Sequence, residues 1–278
     1  MKTWFITGAS RGIGFEIAQA ALAAGDNVVA TARNLDKLVE AFSGDPERLA
    51  FAQLDVQNPE QAETASALAK EQFGGIDVLG NTAGCGQLGH FETIASDAIA
   101  HQFSTNVFGL MQVTRALMPL MREQRRGHIF NLSSIGGTIG FDGAAIYCAT
   151  KFAVEGFSES LALELGRFGI QVTIVEPGFF RTDFLDGSSV RYGDINIPDY
   201  TEAAAEQREQ YGAYSHAQLG DPKKLAQWIV DVAGAENAPL RLIAGSDALQ
   251  MSRDLLHNRH EELEGWANRS VTTDHEVA

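Results

Sequence analysis

Three side chains near the middle of the chain have the types and spacing for proton transfer. Tyr147 and Lys151 lie four positions apart, a separation that stacks both on one face of a helix, and Ser134 stands thirteen residues before the tyrosine. A free phenol titrates near about pH 10 and exchanges protons poorly at neutrality unless a cation close by favours phenolate. An ammonium one helical turn away is such a cation. A hydroxyl like that of Ser134 can donate to an oxygen on which negative charge develops. Taken alone, a tyrosine and a lysine at this spacing also decorate ordinary exposed helices, so the surrounding elements decide.

Those elements alternate regularly. Residues 3–7 are β-branched and aromatic, Gly8-Ala9-Ser10-Arg11-Gly12-Ile13-Gly14 interrupts them, and residues 15–24 resume at helical spacing. The same rhythm predicts strands over 27–32, 49–54, 77–81, 128–132, 171–175 and 240–244. It predicts helices over 35–42, 59–73, 96–122, 147–167 and 222–233, with a last one from about 248. Val28-Val29-Ala30 and Val172-Thr173-Ile174-Val175 lack polar alternation, as strands of a parallel sheet covered on both faces do. The fold class is therefore doubly wound α/β: a mostly parallel, seven-stranded, Rossmann-like sheet in one domain spanning 1–278. Residues 179–216 break the rhythm with Phe184, Tyr192, Ile195, Pro198, Tyr200, Tyr211 and Tyr214. About 184–216 of this stretch reads as a substrate lid, and about 268–278 as a polar tail.

The glycine turn suits a dinucleotide. Gly8, Gly12 and Gly14 follow a strand and open a helix, letting backbone approach a pyrophosphate while helix amides and dipole favour its charge. Ser10, Arg11 and Ile13 lie in the same turn. An acid at the end of the second strand would hold the ribose hydroxyls of NAD, but Ala32 stands there, followed by Arg33. A carboxylate would repel a 2′-phosphate, whereas Arg33 offers it a planar fork, with Arg11 on the same side. NADP (NADPH) is therefore expected over NAD; the other reading leaves Arg33 in solvent and gives the ribose to Asp36 or to backbone.

With Gly8, Gly12 and Gly14, then Asn81-Thr82-Ala83-Gly84, Asn106, Ser134, Tyr147, Lys151 and Pro177-Gly178 in this order, the sequence resembles the short-chain dehydrogenase/reductase family over residues 3–183. The resemblance implies an enzyme that moves a hydride between nicotinamide C4 and a ketone or secondary alcohol. It implies Tyr147 as general acid or base, Ser134 bonded to the reacting oxygen, Lys151 lowering the phenol's pKa while binding the nicotinamide ribose, and Asn106 anchoring a relay water. It further assigns Asp55 and Val56 to the adenine, Asn81, Ala83 and Gly84 to riboses and phosphates, and Pro177, Gly178 and Thr182 to the nicotinamide end. Ser133 is an alternative hydroxyl but would face the other way on an extended strand. Two positions depart from the family pattern: Thr82 replaces a second asparagine and Gly80 an apolar residue, which puts a sheet-stiffening bond in doubt. Family members are often homodimers or homotetramers, and the same expectation extends here. A binding protein that senses NADP(H) without turnover is the alternative of another class. An epimerase or dehydratase would be expected to carry a larger domain after Asp183 than the 95 residues present.

Composition narrows the rest. Thirty-six acidic against 21 basic residues, a formal charge of −15, argue against nucleic acid or an anionic membrane as partner. No apolar run reaches spanning length, Cys85 and Cys148 are too few for a disulfide framework, and no signal peptide is evident, so a cytoplasmic protein is expected. Cys85 reads as a packing thiol, with a place bordering the substrate as the alternative, Cys148 as a packing thiol, and Asn268-Arg269-Ser270 as a chance sequon. His257 and His260 with Glu261 and Glu262 read as a solvated helix face, and no metal is predicted. The aromatics of the lid favour a small apolar or aromatic carbonyl or alcohol substrate.

Overall fold

The computed structural model describes residues 1–42 and 47–275. Seven parallel strands form the main sheet: β1 (Thr3–Ile6), β2 (Asn27–Ala32), β3 (Leu49–Gln53), β4 (Val78–Asn81), β6 (Gly127–Leu132), β7 (Ile170–Pro177) and β9 (Arg241–Ala244). Two short strands, β5 (Gly86–Leu88) and β8 (Val190–Tyr192), pair in a separate parallel ribbon. The order across the large sheet is β3-β2-β1-β4-β6-β7-β9, so it reverses between β1 and β4. Every residue of β1, β2 and β4 is buried, which is why their sequences carry no alternation.

Helices cover both faces. On one, α1 (Gly12–Ala23), α2 (Leu35–Ala41) and α8 (Pro222–Ala233) pack Ile17, Ala21, Leu38, Leu225 and Ile229 against Trp4, Ile6, Val28 and Phe130. On the other, α3 (Pro59–Phe73), α5 (Leu110–Gln124) and α6 (Ala145–Leu165) pack Ala65, Val113, Leu117 and Leu161 against Phe5, Val29, Leu79 and Ile129. Asn58 caps α3 through the amides of Glu60 and Gln61, with Pro59 at the first helical position and Gly74 left-handed beyond the end.

Three expectations need correction. The single helix over 96–122 is α4 (Ser96–Phe103) and α5 joined by a π-helical segment, Ser104–Gly109, which contains Asn106. The stretch over 184–216 is not irregular throughout: it contains β8 and α7 (Thr201–Tyr214). α7 has no buried residue and no apolar stripe, so hydrophobic periodicity could not reveal it, although its Glu/Ala/Gln/Arg run has strong helix propensity. The polar tail begins inside α9 (Ser246–Ser270), which buries only Ala248 and Ser252, and residues 276–278 lie outside the described ones. Among the described residues no helix is long and apolar enough to cross a membrane.

Candidate active site

The carboxyl ends of β1, β2, β4, β6 and β7 open onto one cleft of about 380 Å³. Its floor starts at the glycine turn. Gly8 is left-handed, at φ 66°, and a Cβ there would stand 2.9 Å from the Cα of Ala83. A Cβ on Gly14 would stand 2.8 Å from the carbonyl oxygen of Gly8 and would collide with the Thr82 hydroxyl. The first turn of α1 receives no side-chain cap from Arg11, which leaves its amides for an anion. Ser10, Arg11, Gly12 and Ile13 also line this end. With the uncapped helix start and a cradle that only glycine fits, the residues suit a dinucleotide pyrophosphate.

Arg33 lines the cleft at the end of β2 and is exposed, and its guanidinium has no hydrogen-bond or ion-pair partner among the described residues. Arg11 differs: its guanidinium donates to the hydroxyl of Ser188 at 2.7 Å and to the Ser188 carbonyl at 3.0 Å, across the cleft mouth. Asp55 and Val56 form the wall beyond β3, where the Asp55 carboxylate accepts from the Gln57 amide. Ala83, Gly84, Pro177, Gly178 and Thr182 complete the wall that faces the glycines.

Two expected residues stand behind the wall rather than in it. Asn81, assigned to the cofactor, is buried under the sheet, its amide donating to the Thr114 hydroxyl and to the Asn131 side chain, both at 2.9 Å. The Asn106 side chain is taken up by backbone: it accepts from the Cys85 amide at 3.0 Å and donates to the Cys85 carbonyl at 2.9 Å, so it clamps the β4–β5 connection. The doubt over Thr82 is resolved in its favour. Its hydroxyl donates to the Thr7 carbonyl and its amide to the Thr7 hydroxyl, joining β4 to β1.

The proton-transfer group gathers at the far end. Ser134 follows β6 and caps a short 3₁₀ turn, its oxygen accepting from the Gly136 amide at 3.1 Å, which leaves the hydroxyl proton free to donate. That hydroxyl faces the Tyr147 phenol. Ser133 is buried and turns toward Glu155 instead, as the extended strand predicts. Lys151 sits 5.8 Å from the Tyr147 ring centre and donates to the Leu132 carbonyl at 2.8 Å. Burial pushes the phenol up to about 12, with the Ser134 hydroxyl pulling the other way. Burial also pushes the Lys151 ammonium down to about 8, against the charges of Cys85 and Glu155. The phenol thus stands above its ordinary value because of burial, and Lys151 is not among the groups that move it.

Beside Tyr147, Phe184 and Tyr211, two of the aromatics the sequence singled out, line an apolar wall, with the Phe184 ring 5.6 Å from that of Tyr147. Sequence reading passed over Phe141, Ala144 and Leu88, which complete it. Gln87 and Gln102 add polar groups, and Cys85 also lines the cleft, half-buried, with burial raising its thiol. Pairing of β5 with β8, which draws this wall together, joins residues a hundred positions apart and has no local signature. Asp183, Asp186 and His216 bring their ligand atoms within 4.8 Å of one another, and hydrogen bonds from Ser215 and His216 hold the Asp186 carboxyl below its usual range. His257 pairs with Glu261 on the exposed face of α9.

The glycine cradle at the sheet reversal and the phenol, hydroxyl and ammonium that line the same cleft suit an oxidoreductase that uses a nicotinamide nucleotide. The family model described as short chain dehydrogenase matches residues 2–191, and the chain belongs to that family. It is 38% identical over 275 residues to Oxidoreductase BOA17 of Botryotinia fuckeliana, covering 98% of this chain and 99% of that one. A crystal structure of a short-chain dehydrogenase from Streptomyces avermitilis superposes with a TM-score of 0.88 at 39% identity, covering 99% of this chain and 100% of that one. ElxO with NADP bound superposes with a TM-score of 0.73 at 26% identity, over 88% of this chain and 97% of that one.

Proposed function

We propose that the protein is an NADPH-dependent carbonyl reductase acting on small apolar or aromatic ketones, with Tyr147 as proton donor. The observation that carries this reading is the convergence of Tyr147, Ser134 and Lys151 on the same cleft as the glycine turn. The cofactor, when bound, supplies a hydride to the carbonyl carbon. Gly8, Gly12, Gly14 and the amides opening α1 would hold its pyrophosphate, Arg33 its 2′-phosphate, and Lys151 its nicotinamide ribose. NADP in the ElxO structure supports that choice of cofactor.

The ionisation states suit reduction. A phenol pushed up to about 12 keeps its proton at neutrality and can release it to the stronger base, an alkoxide, that forms as hydride arrives. Ser134, its oxygen already engaged by Gly136, can donate to the same alkoxide. An ammonium at about 8 is charged at neutrality and offsets charge as the phenol's proton leaves. Phe141, Phe184, Leu88 and Tyr211 would take the apolar part of the ketone and exclude water.

The test is initial rates with NADPH and NADH over aliphatic, aryl and steroidal ketones, for the wild type and Tyr147→Phe. The phenylalanine variant is expected to lose at least about 100-fold in kcat while still binding NADPH, since general acid catalysis contributes about 10²–10⁴. Full activity in that variant would remove Tyr147 from the mechanism. Tight NADPH binding with no turnover on any ketone would favour a sensing protein.

A further inference from the structure

Behind Ser134 and Lys151 lies a charged cluster that the proposed reaction does not use. Glu155 follows Lys151 by one turn on the same face of α6, and is buried. Beside it stand Glu176 on β7, 1% exposed, and Glu159, one further turn along α6. A single guanidinium serves all three. Arg241 on β9 reaches Glu159 at 2.7 Å and Glu176 at 3.1 Å, but Glu155 only at 3.4 Å. Both oxygens of Glu155 are shut off from solvent without a well-aligned donor. Three carboxylates on one guanidinium would leave a net charge of −2 if all were ionised, a costly state where two of them are buried.

We propose that Glu155, held beside Glu176 and Arg241 one helical turn after Lys151, is a positioning residue that favours the charged form of Lys151 from behind the reaction centre. Lys151 has little else to keep its proton. Its one hydrogen bond goes to the neutral Leu132 carbonyl, and the charges that favour the ammonium are those of Cys85, across the cleft, and Glu155. Burial raises the Glu155 carboxyl, while Ser133 and Arg241 favour its carboxylate and Glu159 disfavours it. Burial and then the charge of Glu155 push Glu176 up to about 7, so Glu176 holds its proton into neutrality beside the Glu155 carboxylate.

This predicts unequal outcomes for two isosteric changes. Glu155→Gln removes the charge that holds the ammonium, so Lys151 should titrate about one pH unit lower. Glu176→Gln replaces a carboxyl that keeps its proton into neutrality and is not among the groups acting on Lys151, so the Lys151 midpoint should stay within a few tenths of a unit. The measurement is ¹³C NMR of the ligand-free chain labelled at lysine Cε. Only six lysines are present, and the Lys151 signal is the one absent from Lys151→Arg. Thermal melts of each variant establish that it is folded at the titration temperature, and Glu155→Asp, which keeps the charge, should restore part of the shift if Glu155→Gln is weakened. An unchanged midpoint in Glu155→Gln, or an equal shift in both variants, would overturn the proposal. The inference rests on the reductase reading only for its consequence, that the alkaline limb of kcat/KM follows the Lys151 midpoint in each variant. Shifted midpoints without ketone reduction would leave the coupling standing and remove the reductase reading.

Discussion

The proposed preference for NADPH rests on the Arg33 guanidinium, and Arg33→Ala isolates it. Arg33 is exposed beside the cleft and has no side-chain partner among the described residues, while the other candidate, Arg11, has both ends of its fork on Ser188. Arg33 can therefore meet a 2′-phosphate without first breaking a bond, whereas Arg11 must give up two. A charge-assisted pair of this kind contributes about 1.5–3 kcal/mol, and solvent exposure places Arg33 in the lower half of that range. Taking about 2 kcal/mol, Arg33→Ala should raise the Kd of NADPH about 30-fold and leave that of NADH within about twofold, since NADH lacks the phosphate. Fluorescence of the bound nicotinamide gives both constants. The ratio should shrink toward unity as salt is raised from about 50 mM to about 500 mM, because an exposed pair is screened. Equal losses for the two cofactors would refute the assignment. A loss that follows Arg11→Ala instead would move the phosphate to the glycine turn.

Two further outcomes follow from steric and titration arguments. Gly14→Ala must displace either the Gly8 carbonyl, 2.8 Å from the new methyl, or a Thr82 hydroxyl already bound to Thr7; NADPH affinity should fall at least about 10-fold and stability by about 1–3 kcal/mol, read by titration and urea melts. His128 is buried against Phe130 and bonded to the Thr173 hydroxyl, and burial pushes it down to about 4, below the about 6.5 of an unfolded chain. Between those values the unfolded state binds the extra proton, so stability is present above about pH 6.5 and lost as pH falls. By pH 5 the wild type should have given up about 2 kcal/mol more than His128→Gln; parallel urea-melt profiles for the two proteins would exclude the effect.

How much was legible in the sequence depended on whether the signal was local. All seven strands of the main sheet can be read from short apolar runs: β1, β2 and β4 are buried throughout and say so in their own residues, while β3 and β9 at the edges leave some of theirs part-exposed. The glycines and the Tyr147–Lys151 pair can be read the same way, since each is a feature of one turn or one helix face. The β5–β8 ribbon cannot, because Gly86–Leu88 and Val190–Tyr192 are three-residue strands whose partners lie a hundred positions away. Nor can the titration of Tyr147. The sequence shows the lysine one turn away but not the desolvation from Phe184 and the surrounding wall, and in the ligand-free chain desolvation is the larger effect.

Asn81 shows what a motif leaves out. Its place in Asn81-Thr82-Ala83-Gly84 ties it to the cofactor, yet its side chain points away from the cleft into a buried chain of hydrogen bonds. Asn81 binds Thr114 of α5 and Asn131 of β6; Asn131 donates to Ser158 of α6 at 2.8 Å; Thr114 and Ser158 each return to their own helix backbone four residues earlier. The chain therefore links two strands to two helices beneath the site. α6 also carries Tyr147 and Lys151, so the height of both over the sheet is set by Ser158, two turns below Lys151, gripping Asn131. Apolar packing alone would let α6 slide along the Ala and Leu side chains that face it, whereas directional bonds between buried polar groups give one register. Asn81 thus helps to fix where the helix that carries Tyr147 and Lys151 stands, and that role by itself accounts for an asparagine there.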